Sequence, residues 1–149
     1  MAKIALYQPD IALNVGAIIR TAACLGSELH IIEPCGFAFD EQKIKRSAMD
    51  YYEKVIIIRH DSFEDFYKNE VEEKKSRLIL LTTKTNKPYH KFSFLKNDIL
   101  LFGRESAGVP EFVAKKCDEK ITIPMQNDAR SLNLASSVAI ILSHFKISF

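Results

Sequence analysis

The sequence is poor in the features that would place it in a membrane, a disulfide scaffold or a metal centre. No stretch approaches the roughly 18 unbroken apolar residues of a membrane-spanning helix. The chain opens on Met1-Ala2-Lys3-Ile4-Ala5-Leu6, which reads as strand and not as a signal peptide. Three cysteines (Cys24, Cys35, Cys117) are too few and too scattered for a disulfide framework or a zinc site, so a reducing cytoplasm is the expected home. Four histidines (His30, His60, His90, His144) show no metal-ligand spacing, and no metal is expected. Neither G-x-G-x-x-G nor G-x-x-x-x-G-K-[ST] occurs, so the glycine-bounded stretch 103–108 does not read as a phosphate cradle. There is no H-E-x-x-H, no Ser/His/Asp or Cys/His set, and no linker, repeat or low-complexity segment.

What is present fits one soluble domain. A chain of 149 residues, 47% apolar and 27% charged, can build a real hydrophobic core. The net charge of +2 neither demands nor excludes a nucleic-acid partner. Basic residues gather at Lys43, Lys45 and Arg46, at Lys84, Lys87 and Lys91, and at Lys115, Lys116 and Lys120. Such runs usually form solvated surface, and only the fold could assemble them into a phosphate-binding face.

Strands and helices alternate along the chain. Residues 3–7 read as a buried strand stopped by Gln8-Pro9. Val15, Ile18, Ile19, Ala22 and Leu25 then recur with helical period, and Gly26 closes the helix. Residues 29–32 return as a strand, which makes a βαβ unit and a parallel pairing. A short helix is expected over 41–48, a strand over 55–59, and a helix opened in capping-box style by Ser62, with Phe63, Phe66, Tyr67 and Val71 on one side. Strands over 77–83 and 98–102 follow, then a helix to about Lys116 with Pro110 in its first turn, a strand over 120–123 and a last helix from Leu134 to about Phe145. The pattern predicts an α/β fold: a single domain with a mostly parallel sheet and helices on both faces.

Ligands in such sheets bind beyond the carboxyl ends of the strands. Three polar loops sit there, after Leu81, after Phe102 and after Ile123. The last is the most crowded, with Asp128, Arg130, Ser131 and Asn133 packed into one crossover. Capping of the following helix accounts for one of Ser131 and Asn133 but not for the whole set. Gly16, unfavourable inside a helix by about 1 kcal/mol, implies a close backbone approach, and Arg20 follows one turn later on the same face. Asn14, Gly16 and Arg20 are therefore expected to converge. A polar pocket of backbone groups with Glu105, Ser131, Asn133 and Arg20 suits a nucleoside-like cofactor without phosphates.

Three segments in order resemble the motifs of the SpoU family of the SPOUT superfamily. They are Asn14-x-Gly16-x3-Arg20-Thr21-Ala22, Phe102-Gly103-Arg104-Glu105-Ser106-x-Gly108-Val109-Pro110 and Ile123-Pro124-Met125-x4-Arg130-Ser131-Leu132-Asn133-Leu134. Members are RNA 2′-O-ribose methyltransferases that use S-adenosyl-L-methionine. The resemblance implies a C-terminal trefoil knot that forms the cofactor pocket, and an obligate homodimer with its active site at the subunit interface. Leu29-His30-Ile31-Ile32-Glu33-Pro34-x-Gly36-Phe37 and Asp50-Tyr51 resemble the minimal branch that methylates the wobble nucleotide of tRNA, position 34, cytidine or modified uridine. No added N-terminal RNA-binding domain is expected.

Carried over residue by residue, the resemblance assigns Arg20, Asn14, Glu105, Ser131 and Asn133 to the catalytic centre. It assigns Leu81, Thr82, Gly103, Ile123, Met125, Ser131 and Leu132 to the cofactor. Guanidinium groups keep their protons in proteins, so Arg20 reads better as a clamp on the target phosphate and hydroxyl than as a base. A homodimer is also expected from the last helix, where Val138, Ile140, Ile141, Leu142 and Phe145 are apolar on more than one side. Two other readings remain beside this one: methylation of another tRNA or ribosomal-RNA site, and a knotted RNA-binding protein without catalysis.

Overall fold

The alternation of the first strand sets the layering. β1 (Ala2–Tyr7) sends Ile4 and Leu6 to one side and Ala5 and Tyr7 to the other, all four buried, as the two-residue period of a strand requires. The structure is a computed structural model and describes residues 1–129 and 132–149. In it β1 is joined by β2 (Ser27–Ile32), β3 (Ile57–His60), β4 (Leu78–Leu81), β5 (Ile99–Phe102) and β6 (Glu119–Ile121). The sheet order is β3-β2-β1-β5-β4-β6, and every neighbouring pair is parallel.

Parallel neighbours need long crossovers, and the helices supply them. On the Ile4 and Leu6 face lie α1 (Ala12–Leu25), α2 (Glu41–Ala48) and α5 (Leu134–Ile147), which bring Ile18, Ile44, Val138, Ile141 and Phe145 onto Leu29 and Leu100. On the Ala5 and Tyr7 face lie α3 (Phe63–Phe66) and α4 (Glu111–Lys116), with Phe63, Phe66 and Val113 packed on Leu80 and Leu101. The predicted parallel α/β sheet covered on both faces is what the chain forms. Among the described residues, no helix is long and apolar enough to cross a membrane.

Several boundaries differ for local reasons. β6 ends at Ile121 because Thr122 is taken by the preceding loop: its N–H donates to the Lys87 carbonyl at 2.9 Å, and its carbonyl accepts from Tyr89 N–H at 2.9 Å. Pro110 stands at the cap of α4, not inside its first turn. Residues Met49–Lys54 form an unexpected 3₁₀ segment after α2, entered by Met49 at a left-handed φ of 57°. Ser62 caps α3 as expected, its Oγ accepting from Asp65 N–H at 3.1 Å. The expected continuous helix does not follow; after four residues it widens into a π turn over Tyr67–Glu72.

That wide turn delivers Glu70 to a buried polar cluster that the sequence spacing hides. His30 is fully buried, with Nδ1 3.0 Å from Nε2 of His60, and Phe66 sets its ring edge against both imidazoles. Donor atoms of His30, His60 and Glu70 lie within 4.8 Å of one another, so the fold creates a grouping that linear spacing does not show. The Glu70 carboxylate, however, accepts from Lys74 Nζ at 2.6 Å and has Lys3 Nζ at 3.8 Å. Two ammonium groups already neutralise the one anion that would draw a cation in. The cluster is a buried core network in which His30 Nε2 has no hydrogen-bond partner among the described residues.

Candidate functional site

The carboxyl ends of β4, β5 and β6 open into a cleft of about 830 Å3, within the range of small-ligand sites. Its walls are the three loops singled out in sequence. Leu81 and Thr82 come from the first, Gly103 and Glu105 from the second, and Ile123, Met125, Leu132 and Asn133 from the third. Asn14 of α1 closes one side. The floor is apolar, with Leu80, Phe102 and Leu134. Ser131, and Arg130 beside it, lie outside the described residues.

Each loop is held by main-chain bonds. The first is laid along β6: Thr82 N–H donates to the Ile121 carbonyl at 3.0 Å, and Pro88 bridges to Thr122. The second is pinched shut, with Arg104 and Gly108 exchanging both backbone bonds at 3.0 Å. Gly103 makes that pinch possible, since a Cβ there would sit 2.6 Å from the Gly108 main chain. Gly108 itself takes φ 64°, the left-handed region in which glycine carries no penalty. The third loop ends at Asn133, which caps α5. Its Oδ1 accepts from Ser136 N–H at 3.2 Å, and its Nδ2 donates to Asn14 Oδ1 at 3.0 Å. One side chain thus starts α5 and ties it to α1.

Glu105 is the titratable group most altered by this setting. Burial pushes its carboxyl pKa up; hydrogen bonding from the Asp10 main chain pulls the other way, and the Asp10 charge adds to the rise. Its Oε2 accepts from Asp10 N–H at 2.7 Å. Its Oε1 is buried with no hydrogen-bond partner among the described residues.

Arg20 is not part of the cleft. Six residues of helix turn it about 120° from Asn14, so the expected convergence of Asn14, Gly16 and Arg20 is corrected to a division. Asn14 faces the cleft. Gly16 lets α2 approach so closely that a Cβ would meet Ser47 Cβ at 2.3 Å. Arg20 points outward on that same side, its guanidinium 5.2 Å from the Tyr51 ring centroid and its Nη1 3.8 Å from Met49 Sδ. It is the one charged residue of α1, flanked by exposed Leu13, Ala17 and Cys24. Asp10 was not picked out in sequence; an acid just before a helix reads as a cap, and nothing local shows that it reaches elsewhere.

Comparison with known proteins gives one consistent result. The model of the SpoU rRNA methylase family matches residues 1–143. A protein of Beijerinckia indica named tRNA (cytidine(34)-2′-O)-methyltransferase is 48% identical over 139 residues, covering 93% of this chain and 86% of its own. A protein of Escherichia coli K12 with the same name is 40% identical over 144 residues, 95% of this chain and 90% of its own. Among solved structures, one described in the words "Structural insights into the 2-OH methylation of C/U34 on tRNA" superposes with a TM-score of 0.90 at 37% identity, covering 99% of this chain and 94% of its own. A SpoU methyltransferase of Streptomyces viridochromogenes, solved with its cofactor AdoMet, shares the fold at a TM-score of 0.88 and 24% identity, over 99% of this chain and 57% of its own.

Proposed function

This chain belongs to the SpoU rRNA methylase family, and we propose that it transfers a methyl group from S-adenosylmethionine to the ribose 2′-hydroxyl of nucleotide 34, cytidine or uridine, of tRNA. The observation that carries the reading is the cleft itself, in which the three strand-end loops meet, two of them from the second and third motif segments, beside Asn14 of the first. Its apolar floor, its strand-end main chain and the bare Cα of Gly103 fit a nucleoside with a short side chain. Among the described residues, no glycine loop is arranged for phosphates. Leu81, Thr82, Gly103, Ile123, Met125 and Leu132 would hold the cofactor, with Ser131 from the same motif. When bound, the cofactor supplies an electrophilic methyl on a sulfonium.

The developing charge is small, so neither a metal nor an oxyanion hole is required, and positioning can supply up to about 7–11 kcal/mol. Asn14 and Asn133 set the cleft wall against α1. Glu105 orders the second loop. Arg20 clamps the target phosphate and hydroxyl, and because it stands outside its own chain's cleft, it serves the cleft of a second copy. Exposed Leu13 and Met49 beside it, and half-exposed Ile140 on α5, give the pair an apolar contact. The family resemblance and the passage of the chain from β6 at the sheet edge to α5 against α1 support the trefoil knot. A tRNA substrate also accords with a cytoplasmic home.

The test is single-turnover methylation of tRNA with mass spectrometry of nucleotide 34, alongside cofactor titration. Arg20→Ala should abolish methylation and leave S-adenosylmethionine affinity near wild type. Arg20→Lys should rescue poorly, because an ammonium lacks the planar two-point grip on phosphate. Near-normal methylation by Arg20→Ala would remove Arg20 from the site, and an unmethylated wobble nucleotide with wild-type protein would end the reading.

A further inference from the structure

We propose that Asp10 is a positioning residue for methyl transfer, the clasp that fixes Glu105 and Ser106 at the cleft wall. The inference rests on the methyl-transfer reading above and goes beyond it, since Asp10 lies behind the cleft and in none of the three motif segments.

Asp10 sits between β1 and α1, two residues ahead of the helix. An acid in that place would ordinarily accept from the unpaired N–H groups of the first turn. Here the cap position is Ile11, without a side-chain bond. The Asp10 carboxylate spans the sheet top instead: Oδ2 accepts from Ser106 N–H at 3.1 Å and from Ser106 Oγ at 2.5 Å, 96 residues away. The Asp10 main chain works in the same direction, its N–H donating to Glu105 Oε2 at 2.7 Å. One residue thus bonds two consecutive residues of the Arg104–Gly108 pinch, and both of those line the cleft.

The loop after β2 is shaped around the same residue. Gly36 N–H donates to the Pro9 carbonyl at 2.9 Å, and a Cβ on Gly36 would lie 2.6 Å from Asp10 Oδ1 and 3.0 Å from Asp10 Cα. Main chain on that side leaves the carboxylate no second place to turn. Asp10 therefore joins the loops after β1, β2 and β5, three strands that are neighbours in the sheet. The last of these loops is also a wall of the cleft. The bonds from Ser106 to the Asp10 carboxylate are of the stronger, charge-assisted kind and are lost if the carboxylate is removed, whereas the main-chain bond to Glu105 stays.

The experiment compares wild type, Asp10→Ala, Asp10→Asn and Ser106→Ala, and the double variant D10A/S106A. Single-turnover methylation is followed against tRNA concentration, with the melting temperature and cofactor affinity recorded for each. Asp10→Ala should lower the rate at saturating tRNA by about tenfold or more, the scale of loss that a small misplacement of reacting groups produces. The tRNA concentration for half-maximal rate should stay within about twofold, as expected when only transition-state geometry is lost. Asp10→Asn keeps an oxygen acceptor for Ser106 and should retain clearly more of the rate. The double variant should be no slower than the worse single one, because both changes break one clasp. A wild-type rate in Asp10→Ala overturns the proposal. So do additive losses, or Asp10→Asn falling as far as Asp10→Ala in step with its melting temperature. Failure of the wild-type protein to methylate position 34 refutes the underlying function instead and is seen without any variant.

Discussion

Acid should destabilise this protein through His30. Burial is the chief cause: His30 is enclosed by β2, β3 and the wide turn, and its pKa is lowered from 6.5 to about 4. Glu70 opposes that shift, while His60, Lys3 and Lys74 add to it. His60 is lowered as well, again first by burial. The unfolded chain therefore takes up protons below pH 6.5 that the native state refuses, and stability falls as pH drops from about 6.5 towards 4. At pH 5 the His30 share is about 1.5 pKa units, or about 2 kcal/mol. For a chain of this length that corresponds to a melting temperature lower by about 4–8 °C. Glu70 is held below its ordinary pKa against its own burial by Lys74, His30 and Lys3, and it loses its share only below about 4.5. Glu105, raised by burial, acts in the opposite sense. His30→Gln separates these contributions, because it deletes the titration and leaves the carboxylates in place. The assay is thermal unfolding by circular dichroism at pH 5.0 and 7.5, at one protein concentration and without cofactor. Wild type should melt lower at pH 5.0, and His30→Gln, less stable at pH 7.5, should show a smaller difference between the two. An equal or higher wild-type melting temperature at pH 5.0 would refute the reasoning.

Two further outcomes follow from the geometry. Gly103→Ala places a methyl 2.6 Å from the Gly108 main chain, which cannot yield as a side-chain tip would; overpacking of about 1–3 kcal/mol should open the Arg104–Gly108 pinch, and calorimetry should show S-adenosylmethionine affinity reduced by about tenfold or more. Asp98 is 1% exposed, grips Arg77 at 2.8 and 2.7 Å and accepts from Leu95 N–H at 2.8 Å; Asp98→Asn should cost about 3 kcal/mol, read as a lower urea midpoint with an unchanged slope.

The layering and the three cleft loops were legible because each is carried by local signals. Period-two and period-3.6 patterns in residues 3–25 announce the βαβ unit, and Pro124 after Ile121-Thr122-Ile123 announces the last crossover. Asn133 is both cap and cleft residue, as its place before Leu134 allows. What stayed hidden depends on side chains that meet across long sequence distances. His30 and His60 stand on neighbouring strands and Glu70 on a turn widened by one residue, so no spacing rule relates them. Asp10 mimics a cap and spends its carboxylate on Ser106, 96 residues on. Gly16 did signal a close approach, but glycine does not say to what, and the neighbour is α2 instead of a ligand.

The outward face of α1 makes a physical case for the second copy. A solvated helix face carries charge at most turns, yet Leu13, Ala17, Arg20 and Cys24 follow one another at helical spacing and only Arg20 is charged. Leu13 is 72% exposed, and Met49, which touches Arg20, is 61% exposed. Leaving two such side chains wet forgoes about 1.5–3 kcal/mol apiece relative to burial, which is ample reason for association. Arg20 does not fit the centre of such a patch as a structural residue, because burying an unpaired guanidinium costs several kcal/mol. Stacking on Tyr51 offsets only part of that, about 0.5–2 kcal/mol. Were that face buried between copies, the charge would need an anion brought by something other than this chain's described residues. In the dimer proposed above, an RNA phosphate beside the partner's cleft would supply it, which would give the apolar stripe and the lone arginine one explanation: the stripe would dock the copies, and the docking would aim the guanidinium.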